Sequence, residues 1–341
     1  LSAPKIRKVI LSRTDAIGDV VLSLPLASVL KDLLGDRTEV LFLGRTYTRP
    51  VIESCSSVNS FLNYDTFVKL TARERIDFFR QTGADAIIHV FPRKDIAVAA
   101  ARAGIRLRVG TTNRLYHWWT CNRLVGLGRK NSDLHEAQLN LRLLRPLGYQ
   151  AAPSPEEIGE HFHLTRISPL PPAVDRLLDR TRFRLVVHPK TKGSAREWAP
   201  ANYSELIRLL PPDKYQLLVT GGEAEAAFLD EWVKTLPGNV VNLAGRLSLD
   251  QLISLLGQCD GIVAASTGPL HLAAALGKFA LGLYPPIRPM HPGRWAPVGK
   301  KASFLVARKN CSSCRNHPAS CVCMNEIVPP DAARRILSWT G

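Results

Sequence analysis

Nine short apolar runs of strand length, alternating with stretches of helical spacing, constrain this chain more than any other feature. Four come early: "KVILS" (8–12), "TEVLFLG" (38–44), "AIIHVFP" (86–92) and "RLRVGT" (106–111). Five come late: "RLVVHP" (184–189), "YQLLVTGG" (215–222), "NVVNLAG" (239–245), "GIVAAS" (261–266) and "FALGLYP" (279–285). Apolar positions recur with helical spacing near 17–35, 48–56, 70–82, 94–104 and 135–148, then near 200–211, 223–236, 248–258, 268–277 and 331–339. Strands alternating with helices imply parallel sheets joined by right-handed crossovers. The alternation breaks once, at "GYQAAPSPEEIGE" and "RISPLPPAVDRL", which are rich in Pro, Gly and Ser and read as an interdomain linker. The expected fold is α/β, with two Rossmann-like domains, 1–165 and 166–330, whose parallel sheets face each other across a cleft.

Composition excludes several classes. With 341 residues, 45% hydrophobic and 22% charged, the chain is long enough for two cores and is of soluble globular type. The best apolar run, Val20 to Leu30, is too short to span a bilayer, contains Pro25 and is flanked by Asp19 and Lys31. The sequence enters its first strand without a signal-peptide pattern, so the expected compartment is the cytoplasm. No strict repeat is present, which excludes solenoids and propellers. Neither half has G-x-G-x-x-G after its first strand, and G-x-x-x-x-G-K-[ST] is absent, which argues against dinucleotide oxidoreductases and P-loop NTPases.

A net charge of +16 calls for a negatively charged partner. The excess concentrates between Arg93 and Arg145, where eleven basic residues, among them Arg93, Arg106, Arg108 and Arg114, face only Asp95, Asp133 and Glu136. Aromatics interleave there in "RLYHWWTCNRL". Nucleic acid fits such a pattern, and so does an anionic glycolipid at a membrane surface. Trp118 and Trp119, taken singly, read as core residues.

Four loops leave the carboxyl ends of strands, the edge at which α/β sheets bind ligands. "RTDAIGDVV" (13–21) follows the first strand: Asp15 suits a helix cap, Gly18 allows close approach, and Asp19 is expected to face the crevice. "HPKTKGSAREW" (188–198) sets Lys190, Lys192 and Arg196 around Thr191, Gly193 and Ser194, a composition suited to a pyrophosphate. "TGGEAE" (220–225) offers Glu223 and Glu225 to a ribose. "ASTGPLHLAAALG" (265–277) places Ser266, Thr267, Gly268 and His271 at the start of a helix, whose dipole attracts an anion.

Cys55, Cys121 and Cys259 read as buried thiols. Cys311, Cys314, Cys321 and Cys323, in "CSSCRNHPASCVC", have spacing that suits a structural Zn or Fe site, with a reduced or disulfide-linked loop as the alternative.

Taken together, "R-T-D-x-I-G-D-V-V-x-x-L-P", "HPKTKGSAREW" and "STGPLHLAAALG", with the helix "HEAQLNLRLLRPLG", resemble glycosyltransferase family 9, the ADP-heptose:lipopolysaccharide heptosyltransferases and their relatives. The resemblance runs from about residue 6 to 340. It implies a GT-B fold with acceptor on the first domain, ADP-heptose on the second, and a C-terminal helix (331–341) returning toward the first. It implies inverting transfer that requires no metal, at the cytoplasmic face of the inner membrane, onto an anionic glycolipid, with no nucleic acid partner. By match to the family pattern, Asp19 would be the general base and Arg196 would stabilise the departing diphosphate. Lys190, Thr191, Lys192, Glu223, Glu225, Ser266, Thr267, Gly268 and His271 would contact the donor; Gly18, Arg93, Arg106, Arg108 and Arg114 the acceptor. One departure stands out: Ser266 occupies a position where the best-known members carry Asp, which puts the identity of the sugar in question. The competing expectations are a relative with another nucleotide sugar or a non-core acceptor, and a non-catalytic nucleotide- or nucleic-acid-binding protein.

Overall fold

The computed structural model describes residues 6–129, 132–191, 193, 195–288, 290–308 and 322–340. The chain divides into two compact units, Leu1–Arg166 and Ile167–Gly341. In the first, a six-stranded parallel sheet is built from β1 (Lys8–Ser12), β2 (Glu39–Gly44), β3 (Ser60–Asn63), β4 (Ala86–His89), β5 (Leu107–Thr111) and β6 (Arg123–Val125), in the order β3-β2-β1-β4-β5-β6. The second sheet contains β7 (Phe183–His188), β8 (Tyr215–Val219), β9 (Val240–Asn242), β10 (Gly261–Ala265), β11 (Phe279–Tyr284) and β12 (Ala302–Val306), in the order β12-β11-β10-β7-β8-β9. Each unit thus repeats the Rossmann order 3-2-1-4-5-6, with its topological switch between its first and fourth strands. The switch points fall at the β1/β4 and β7/β10 pairs. The GT-B class that the sequence implies is the class observed, in that both units are Rossmann-like.

Central strands are apolar without alternation because helices cover both faces. Val9, Ile10 and Leu11 of β1 are wholly buried, as are Leu185, Val186 and Val187 of β7. The sequence reading misses β3, β6 and β12. All three are short or half-exposed, so none carries a long apolar run.

Proline sets several helix limits. The helix expected over 17–35 is two: Ile17–Val21, then Pro25–Leu34 with Pro25 in its first turn. The one expected over 135–148 ends as α-helix at Leu141 and continues as a 3-10 turn through Pro146, which lacks the N–H an α-helix needs there. The first expected linker segment is structured instead. Ser154 and Glu157 form a capping box, Ile158 and Phe162 are buried, and Leu164 bridges Cys55. The first unit therefore runs to Arg166. The final helix, Pro329–Leu337, belongs to the second unit, where Ala332, Ala333 and Ile336 join the core around Leu185 and Tyr215. Its apolar face is covered there, so the expected 331–341 element packs as part of the second unit.

Candidate active site

Arg13 organises the carboxyl end of β1. Its side chain is 2% exposed, and its guanidinium donates from Nε to Asp15 Oδ1 (2.7 Å), from Nη1 to Glu136 Oε1 (3.3 Å) and from Nη2 to Asp19 Oδ1. Glu136, 1% exposed, is shared with Arg129 Nη2 at 3.3 Å. Asn140 accepts from Arg129 Nη2 (2.9 Å) and donates from Nδ2 to the Leu22 carbonyl (3.1 Å). The helix Glu136–Leu141 is thereby tied to the turn that carries Asp19. Asp15 is not the cap that the sequence suggests: Ala16 holds the cap position, and the Asp15 carboxylate is turned to Arg13 instead.

Three carboxylates face two guanidinium groups here, so one negative charge is in excess when all are ionised. Burial raises the pKa of Asp15 to about 6 against the pull of Arg13, with Asp19 adding to the rise. Burial raises that of Asp19 too, opposed by Arg13 and reinforced by Glu136. Glu136 is sealed, whereas Asp19 keeps 21% of its side chain open. Asp15 is as open, at 22%, so the two aspartates, and not Glu136, are the members of the cluster that an incoming group can reach.

Other polar groups gather on this edge. Gly18 is the second residue of the helix Ile17–Val21. His89 ends β4 in register with Ser12; it is fully buried, and neither ring nitrogen has a hydrogen-bond partner. Burial, helped by neighbouring His117, pulls its pKa down to about 3, so the ring is neutral. Arg93, just past β4, lies 4.6 Å over the Tyr64 ring, and Arg114 is exposed past β5.

Arg106 and Arg108 belong to the opposite edge. They stand at the amino end of β5, where Arg106 faces Asp85 at 3.6 Å. Arg108 donates to the carbonyls of Thr120 (2.7 Å, from Nε) and Ile105. The structure does not bring them to Asp19, because strand direction separates the two edges by the length of β5. Trp118 and Trp119, expected in the core, are 60% and 67% exposed.

In the second unit, the loop after β7 is held by Glu197. Its Oε2 takes Lys190 Nζ at 2.6 Å and its Oε1 takes the Thr191 amide at 3.1 Å. Lys190 is therefore already ion-paired, rather than free for a phosphate. Gly193 turns the loop at φ +79, a left-handed conformation that a side chain would strain. Arg196 follows, half-buried, and Trp198 anchors the exit: fully buried, it donates from Nε1 to the Ile327 carbonyl at 2.9 Å. Glu225 Oε2 accepts the Gly222 amide at 2.5 Å, which ties it to its own loop, while Glu223 is exposed.

Past β10, Thr267 caps the helix Gly268–Ala275 by position, with no side-chain cap bond. Its hydroxyl is buried and has no hydrogen-bond partner. His271 is buried one turn later, and the Tyr284 hydroxyl, at the end of the neighbouring strand, donates to the Trp295 carbonyl. The switch point β7/β10 thus brings Thr191, Arg196, Thr267, Gly268 and His271 to one sheet edge. Lys192, Ser194, Cys311, Cys314 and Cys321 lie outside the described residues. Cys323 is buried in the second core, and among the described residues no three His, Cys, Asp or Glu side chains are grouped to hold a metal. Sequence reasoning misses Arg13, Arg129, Glu136, Asn140 and His89. The available signal is charge inside otherwise apolar surroundings, at "LSRTD" and at the start of "HEAQLN".

The family model for glycosyltransferase family 9 (heptosyltransferase) matches residues 129–324, more than half the chain. The chain belongs to that family. A Haemophilus influenzae relative, 24% identical over 315 residues and covering 85% of this chain and 86% of its own, carries a provisional glycosyltransferase name with no sugar stated. Lipopolysaccharide heptosyltransferase 2 of Escherichia coli is 33% identical over 117 residues, 33% of each chain. The structure of E. coli ADP-heptose lps heptosyltransferase II superposes with a TM-score of 0.73 at 19% identity, covering 98% of both chains. The protein is a glycosyltransferase of the GT-B class, and no helix among its described residues is long and apolar enough to cross a membrane.

Proposed function

We propose that this glycosyltransferase moves a heptose from ADP-heptose to a hydroxyl of an anionic lipopolysaccharide inner-core acceptor, with inversion. Asp19 takes the hydroxyl proton as the acceptor oxygen bonds to the anomeric carbon. The bond from that carbon to the diphosphate oxygen breaks, and ADP leaves with the electron pair. The observation that carries this reading is the excess negative charge of the cluster around buried Arg13, in which Asp19 is left partly open. A positioned base of this kind contributes ~10²–10⁴-fold to rate.

The second unit supplies the leaving group's partners. Arg196 offers a guanidinium to the diphosphate, and the first-turn amides of the helix Gly268–Ala275, with the Thr267 hydroxyl, offer donors in a buried setting. Glu223 is the carboxylate left for the ribose, since Glu225 is engaged. On the acceptor side Arg93 and Arg114 replace Arg106 and Arg108, because only the former pair stands at the carboxyl edge. The names of the E. coli relative and of the compared structure support a heptose donor and a lipopolysaccharide acceptor.

Ser266 favours a second reading, another nucleotide sugar at the same site, since a neutral hydroxyl stands where the family's Asp would carry charge.

The test is ADP release from ADP-heptose with de-acylated inner-core acceptors, comparing wild type with Asp19→Asn. Acceptor-dependent release that Asp19→Asn abolishes while donor binding persists supports the reading. Failure of ADP-heptose to bind, with release from a different nucleotide sugar, moves the donor assignment to the second reading.

A further inference from the structure

The segment between β5 and β6 displays three large apolar side chains to solvent: Leu115 at 78%, Trp118 at 60% and Trp119 at 67% exposure. They are not on a loose loop. Trp118 Nε1 donates to the Thr112 carbonyl at 3.1 Å, and buried His117 Nδ1 accepts the Thr111 amide at 2.8 Å. Thr120 Oγ1 donates to the Tyr116 carbonyl at 2.6 Å, and Arg108 clamps the Thr120 carbonyl from below. The helix Lys94–Arg102 packs against the short helix His117–Thr120 that bears both indoles. Arg108, expected to bind acceptor, is thus part of the mount for this apolar knob.

A rigid exposed cluster of this kind marks an interaction surface. The surrounding charge indicates its partner. Between Asp95 and Asp133 the chain has no Asp or Glu and seven Arg or Lys, of which Arg114 and Arg123 flank the knob and are exposed. Tryptophan is favoured where an apolar ring meets a wet boundary, and Arg or Lys beside it is drawn to anionic headgroups. A second copy presenting the same face would oppose like charges across a two-fold interface. Leu115, the most exposed of the three, suits acyl chains.

We infer that Leu115, Trp118 and Trp119 form a wedge that inserts into the interface of a bilayer containing anionic lipid, with Arg114 and Arg123 at the headgroups. The inference deepens the glycolipid reading above, yet its deciding readout, vesicle partitioning, needs no sugar donor and stands if the donor reading fails. Full-length protein is sedimented with sucrose-loaded vesicles of phosphatidylglycerol and phosphatidylcholine, and with phosphatidylcholine alone. Wild type partitions to the anionic vesicles, and Trp118→Ala/Trp119→Ala lowers the partition coefficient about tenfold or more. Trp119→Glu, which leaves the Trp118 hydrogen bond intact, falls at least as far while retaining wild-type Tm and transfer to an acyl-free acceptor. Equal partitioning of wild type and both variants overturns the wedge. A wild-type dimer in sedimentation velocity that the same variants dissolve reassigns the face to a second copy, and oligonucleotide binding lost in the variants reassigns it to nucleic acid.

Discussion

Glu136→Gln tests how Asp19, the proposed base, is tuned without touching it. Glu136 and Asp19 each bond one terminal nitrogen of Arg13, so their charges sit on opposite sides of one guanidinium. At an effective dielectric near 20, like unit charges on opposite sides of a guanidinium repel by roughly 2–4 kcal/mol. Asp19 is 21% exposed, which screens part of this. The amide oxygen introduced by Glu136→Gln would still accept from both arginines while its charge is gone, so the Asp19 pKa falls. The direction follows from the physical causes: Glu136 raises that pKa, and Asp19 acts when deprotonated. The acid limb of ADP release against pH therefore moves to lower pH in Glu136→Gln, and the plateau drops roughly threefold because a weaker base removes the proton. Donor KM and Tm are measured alongside to show that the fold and the second unit are intact. An acid limb that stays in place, or moves up, in a folded variant refutes the assignment of Asp19 as the titrating base governed by this cluster.

Asp15 yields a pH-dependent stability difference. Its folded pKa of about 6 lies above the ordinary value of 3.8, so ionising it in the native state costs stability as pH rises through the window between ~4 and ~6. The free energy of unfolding of Asp15→Asn should thus increase relative to that of wild type from pH 4 to pH 7, by about 1–3 kcal/mol, in urea melts at the two pH values. Thr267→Val removes a buried hydroxyl that no protein group satisfies; Tm should hold or rise, by at most ~1 kcal/mol of stability, while donor affinity measured by calorimetry falls. Arg106→Glu should leave acceptor KM within about twofold, since it alters an exposed charge on the far edge, whereas Arg93→Glu raises it; initial-rate kinetics with both variants decide. Trp198→Phe leaves the Ile327 carbonyl without its donor and should cost about 1–3 kcal/mol, read from chemical denaturation.

The sequence is legible where one local rule governs the outcome. Buried parallel strands such as "KVILS" and "RLVVH" are continuous apolar runs and can be read directly. Edge strands β3, β6 and β12 answer to pairing rather than to burial, and three to five half-exposed residues carry no pattern to read. The loop containing Asp19 is visible as turn chemistry, but its meaning is not, because Asp15 follows a capping rule in sequence and an ion pair in space. The same limit applies to charge. Lys190, Arg106 and Arg108 look available to an anion because a sequence shows no counter-ion, while the fold gives Lys190 to Glu197, Arg106 to Asp85 and Arg108 to two carbonyls. The indoles of Trp118 and Trp119 fail in the opposite sense: composition puts tryptophan inside, and only the fold shows two held outside.

The hydrogen bond from Arg13 to Glu136 joins groups 123 residues apart, and that to Asn140 spans 127. Contacts of such separation close late in folding, after their loop entropy has been met by other structure. A nascent chain therefore carries Arg13 and Asp19 through most of the first unit's synthesis before the helix Glu136–Leu141 exists to complete them. Until that helix docks, the β1 turn holds a guanidinium whose most deeply buried partner is missing. The side chains of Asn140 and Glu136 fasten that helix to the turn, and buried Ala137, Leu139 and Leu141 hold it in the core. Amide exchange along residues 136–141 would follow assembly of the base, and a variant that loosens this helix would lose activity at temperatures where the sheet is still intact.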